Sequence, residues 1–66
     1  MKILSQKQKD LINCLKYLKI EDDAIVVILL NVKKDYQISQ LAEFLLLNNN
    51  ASQSQIIKKA IEIGNS

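Results

Sequence analysis

Ala24-Ile25-Val26-Val27-Ile28-Leu29-Leu30 is an unbroken apolar run at the centre of a 66-residue chain, and its reading decides the fold. Ile and Val are strand formers, and the run carries no periodicity of its own. A strand, however, needs a partner for its backbone N–H and C=O groups, and the chain offers no second strand candidate. The flanks favour a helix. Glu21-Asp22-Asp23 precede the run, where the free N–H groups of a helix start carry partial positive charge, and Lys33-Lys34 follow it, where the end is negative. A helix over about residues 22–32 is therefore expected, with Ile25–Leu30 dry around its whole circumference.

The rest of the chain is punctuated for three more helices. Ser5-Gln6-Lys7-Gln8 has capping-box spacing, and Leu11, Ile12, Leu15 and Leu18 then fall on one face, giving a helix over about 5–18. Asp35 is expected to cap a helix over about 36–47, with Ile38, Leu41, Ala42 and Leu45 inward and Phe44, Leu46 and Leu47 widening the apolar stripe. Asn48-Asn49-Asn50 end it, since Asn tolerates the left-handed backbone found just past helices. Ser52-Gln53-Ser54-Gln55 is a second capping box, opening a helix over about 52–63 that stops at Gly64, a good residue for the position after a helix. The fold class is all-α: one domain over 1–66, four short helices joined by tight turns, with successive helices packed as neighbours.

Composition narrows the function. There is no His, the commonest general base at neutral pH, and the sole Gly cannot build a phosphate loop. Cys14 is the only cysteine, so no internal disulfide forms; it reads as a half-buried filler in a reduced, cytoplasmic setting. Glu21-Asp22-Asp23 lack calcium-loop spacing and are accounted for by the helix start. No catalytic residue, metal site, cofactor or small-molecule substrate is expected, and seven apolar residues fall far short of the roughly 20 a membrane span needs.

Two resemblances bear on partners. Leu11, Ile12 and Leu15 leading into Leu18-Lys19-Ile20, then Ile25, Ile28 and Leu29, then Ile38, Leu41, Leu45 and Leu46, make residues 8–47 similar to a ubiquitin-associated (UBA) domain, a three-helix module. That resemblance implies partner contacts through the first loop, at Leu18 and Ile20, and through the last helix, at Leu45 and Leu46. Lys19 stands where the family carries Gly, and the fourth helix lies outside the family core. Gln40-Leu41-Ala42-Glu43-Phe44 resembles the first helix of a helix-turn-helix unit, with Gln53, Ser54, Gln55, Lys58 and Lys59 of the following helix as the implied DNA contacts. Against it stand a long turn without Gly, the absence of Arg and a net charge of only +2.

The apolar surplus points to another protein. A chain this small buries only about 60% of its unfolded surface, and with no disulfide or metal the remaining reinforcement is oligomerisation or very regular packing. Ala24–Val32 holds eight apolar residues, all but Asn31, so this helix has almost no polar side to show to water. Either the other helices enclose it or a second chain covers it. The expectation is a non-catalytic interaction module that forms a homodimer or binds another protein through Val26 and Leu30 together with Phe44, Leu45, Leu46 and Leu47. A small DNA-binding regulator is the alternative.

Overall fold

The computed structural model describes residues 4–65 and contains four helices: α1 (Gln6–Tyr17), α2 (Asp22–Asn31), α3 (Asp35–Leu47) and α4 (Gln53–Gly64). The fold is a small all-α bundle, with no strand among the described residues. Leu11 and Leu15 of α1, Ala24, Ile25 and Ile28 of α2, Ile38, Leu41 and Leu45 of α3, and Ile56, Ala60 and Ile63 of α4 share one core. Ile20 and Val32, in the connections, complete it.

Both expected capping boxes form. Ser5 Oγ accepts from the Gln8 N–H at 3.2 Å while Gln8 Oε1 accepts from the Ser5 N–H at 2.9 Å. Ser52 and Gln55 repeat the exchange at 3.3 and 2.8 Å. Each box satisfies two N–H groups that a helix start leaves without partners. α3 starts differently from expectation. Lys34, not Asp35, is its N-cap, and Asp35 is already helical. A lysine side chain has no acceptor, so Gln37 serves instead: its Oε1 accepts from the N–H groups of Lys33 at 3.1 Å and Lys34 at 2.9 Å. That task explains why Gln37 is the one buried polar residue among those described.

The helix ends also depart from expectation. Asn48 closes α3 with its backbone at φ −134°, not in a left-handed turn. Its side-chain amide donates to the Phe44 carbonyl at 3.0 Å, and Asn31 does the same to Val27 at the end of α2, at 2.9 Å. The left-handed turn lies after α1 instead, at Lys19, whose φ of 64° is the sole positive value among the described residues. The Lys19 N–H bonds the Lys16 carbonyl at 2.9 Å and the Ile20 N–H the Leu15 carbonyl at 3.0 Å. This is the Schellman pattern, which turns the chain sharply and returns Ile20 to the core.

Gly64 is the last helical residue of α4, not the residue beyond it, and its φ is not positive. Its smallness serves a close approach: a Cβ there would lie 2.5 Å from the Asn31 carbonyl oxygen. At the other end of the same helix, Gln53 Oε1 accepts from the backbone N–H of Glu21, the α2 N-cap residue, at 2.9 Å; the Glu21 side chain itself makes no capping bond. These two contacts join start to start and end to end, so α2 and α4 run parallel and in register. α1 also packs on α3: Lys7 Nζ donates to Ser39 Oγ at 3.3 Å, and Lys7 and Cys14 line a groove with Ser39 and Ala42.

The helices pack in a ring: α1 against α2 and α3, and α4 against α2 and α3. α2 and α3, although consecutive, lie on a diagonal with no Cα atoms within 8 Å, contrary to the expectation that all successive helices touch. Within the three-residue connection Val32–Lys34, Val32 is fully buried and anchors the chain in the core, while Lys33 and Lys34 stay exposed.

Candidate functional site

The outer face of α2 is apolar and open to water. Ala24, Ile25 and Ile28 point inward, so Asp23, Val26, Val27 and Leu30, at i, i+3, i+4 and i+7, form the opposite side. Val26 is 55% exposed, Val27 38% and Leu30 63%. The expectation that Ile25–Leu30 would be dry all round is thereby corrected for the chain alone. Four helices in a ring give α2 two neighbours and leave one side uncovered. Water normally meets a polar face there.

The parallel neighbour α4 also exposes an apolar residue. In the parallel register set by Glu21–Gln53 and Asn31–Gly64, Ile61 lies level with the centre of α2, and it is 40% exposed. Charges frame the apolar centre. Asp22 and Asp23 are exposed at the start of α2, Lys33 and Lys34 just past its end, and none has an ionic partner among the described residues. The one ion pair described, Lys59 with Glu62 at 3.3 Å, lies on α4.

The residues singled out in the sequence do not gather on one face. Val26 and Leu30 lie on the exposed strip. Ile20 and Leu45 are core residues, Leu18 is half-buried, and none of the three presents a free apolar side chain. Leu46 and Leu47 are exposed, but on α3, diagonal to α2. Phe44 is half-buried beneath the Lys59 ammonium, 5.7 Å from its ring centroid. Sequence reasoning missed Val27, which helical spacing alone places between Val26 and Leu30, and Ile61, whose exposure depends on how α4 packs and has no local signal.

The helix 4 residues implied as DNA contacts are largely occupied within the chain. Gln53 accepts from the Glu21 backbone N–H, Gln55 closes the α4 capping box, and Lys59 is shared between Glu62 and Phe44. Ser54 and Lys58 are exposed beside Ile57 and Ile61, an apolar neighbourhood for a phosphate-facing surface.

Cys14 is exposed, not half-buried, in a shallow groove with Lys7, Asp10, Leu11, Ile38, Ser39 and Ala42. It sits on the flank of α1, off the row of Leu11 and Leu15. Among the described residues no three His, Cys, Asp or Glu side chains gather to hold a metal ion. No helix among them is long and apolar enough to cross a membrane. Comparison with protein-family models, with curated proteins and with solved structures finds no match to this chain.

Proposed function

We propose that this chain is a non-catalytic protein-interaction module, working in the cytoplasm, that self-associates through the outer face of α2. One observation carries the reading: Val26, Val27 and Leu30 form a helical stripe in water on a domain too small to forgo their burial. Fully burying an aliphatic side chain is worth roughly 1.5–3 kcal/mol, so covering three half-exposed ones recovers a sizeable share of the stability of such a domain. Contiguous apolar surface of this kind marks protein contacts, and two-fold pairing is the commonest arrangement of identical chains.

The end of α3, included in the interacting surface on sequence grounds, is not part of this proposed face because α2 and α3 are diagonal. Leu46 and Leu47 are left as a second, separate apolar edge. The resemblance to UBA domains supports the same class of function: Lys19 adopts the backbone that Gly favours at the matching position of the first loop.

Light scattering across a concentration series tests the proposal. The native chain should exceed its 7.5 kDa monomer mass as concentration rises, and Leu30→Lys should hold it at monomer mass with its helicity intact. Equal masses for the two proteins at every concentration would refute the reading. A mobility-shift titration separates it from the DNA-binding alternative, which requires a complex at low salt that dissociates steeply as salt rises.

A further inference from the structure

The self-association proposed above leaves open how two copies meet, and the distribution of charge along α2 answers it. We propose that two copies pair α2 against α2 in antiparallel fashion about a two-fold axis level with position 28, with Asp23 of each copy against Lys33 of the other. This inference rests on the reading of the α2 face as a self-association surface.

An antiparallel arrangement suits the groups along α2, acidic at its start and followed by bases past its end. Val26 and Leu30 are equidistant from position 28 along α2, while the acids Asp22 and Asp23 stand at its start and Lys33 and Lys34 follow its last residue, Asn31, just outside the helix. Reversing one helix on the other at that level therefore sets acid against base at both ends and Val26 against Leu30 on both sides of the axis. Val27 meets its own counterpart near the axis. Ile61, brought level with position 28 by the parallel packing of α4 on α2, flanks it on the same side in both copies.

The parallel alternative places Asp22 and Asp23 against their own counterparts and Lys33 and Lys34 against theirs. Like charges directly opposed disfavour that arrangement, and slipped antiparallel registers are disfavoured less severely because they separate the acids from the bases. The four charged residues are exposed and without ionic partners among the described residues, so they are free for this use. Lys33 and Lys34 are also fixed in place, since Gln37 holds both of their backbone N–H groups. The strip is short, about 15 Å of helix, which puts the pair among weak, concentration-dependent contacts and not permanent dimers.

Charge reversal tests the arrangement by sedimentation equilibrium. Asp23→Lys places two lysines together at each end of the pair, and Lys33→Glu places two acids together; each variant alone should dimerise about tenfold more weakly than the native chain. An equimolar mixture of the two restores an opposite-charge contact at both ends and should associate at least as strongly as the native chain. Recovery on mixing also shows that neither variant has lost its fold. Single variants as tight as the native chain, or a mixture no stronger than its components, overturn the antiparallel register. If Leu30→Lys abolishes association while the charge variants do not affect it, this register falls and the α2 surface survives. A native chain that is monomeric up to about 1 mM overturns both, and assigns the face to a different partner.

Discussion

Replacing Lys19 by Gly is expected to stabilise the fold, although it removes a side chain and loosens the unfolded backbone. Lys19 holds φ at 64° so that the Lys16 and Leu15 carbonyls can bond the N–H groups of Lys19 and Ile20. A residue with a Cβ loses about 1–2 kcal/mol in this conformation, through crowding against its own carbonyl. Gly relieves that strain but gives back about 0.4–1 kcal/mol through the greater freedom of the unfolded chain. Lys19 is exposed and its side chain makes no described contact, so nothing else enters the balance. The net gain is about 0.5–1 kcal/mol, or a rise of roughly 3–6 °C in Tm for a domain of this size. Thermal and urea unfolding followed by circular dichroism measure it, at low concentration so that any self-association contributes equally little to each protein. Lys19→Ala keeps the Cβ and should show no gain; Lys19→Asn should fall between. A Gly variant that is no more stable than the native chain would refute the strained turn, and with it the explanation of how α1 hands Ile20 to the core.

Three further outcomes follow from particular contacts. Gly64→Ala sets a methyl group 2.5 Å from the Asn31 carbonyl and should cost about 1–3 kcal/mol, read from the urea midpoint; an unchanged midpoint would mean that α2 and α4 do not meet end to end. Gln37→Leu strips the acceptor from two backbone N–H groups and should cost about 1–2 kcal/mol, whereas Gln37→Glu keeps the acceptor at a helix start and should lose less; equal losses would contradict the capping role. Ile28→Ala, at a position with no exposure, should cost about 2–5 kcal/mol and leave a domain this small partly unfolded at room temperature, while Leu30→Ala on the opposite side of the helix should leave the monomer nearly as stable as before; comparable losses would contradict the division of α2 into a core side and a water side.

The helices were legible because their starts are written locally. Ser5–Gln8 and Ser52–Gln55 are four-residue signals that need nothing from the rest of the chain, and both formed as expected. The apolar run became a helix because no strand stood ready to pair with it. The start of α3 escaped because its cap is a buried Gln reaching back to Lys33 and Lys34, a role that side-chain type alone does not advertise. Asn48 and Gly64 were assigned their residue types' commonest duties and perform others: Asn48 bonds a carbonyl, and Gly64 makes room for a neighbouring helix. Above all, a one-dimensional reading places consecutive helices side by side. Here α2 and α3, consecutive in the sequence, lie on a diagonal, so the exposed apolar residues of the two helices do not meet in space. What the run of seven apolar residues did convey was the imbalance: one helix with more to bury than a single four-helix domain can cover.

Sedimentation equilibrium of the native chain from about 10 µM to 1 mM addresses that imbalance directly. If the outer face of α2 joins two copies, the weight-average mass climbs from 7.5 kDa toward twice that value, and Leu30→Lys removes the climb. A mass fixed at 7.5 kDa across the whole range, in a protein that remains folded, would contradict it.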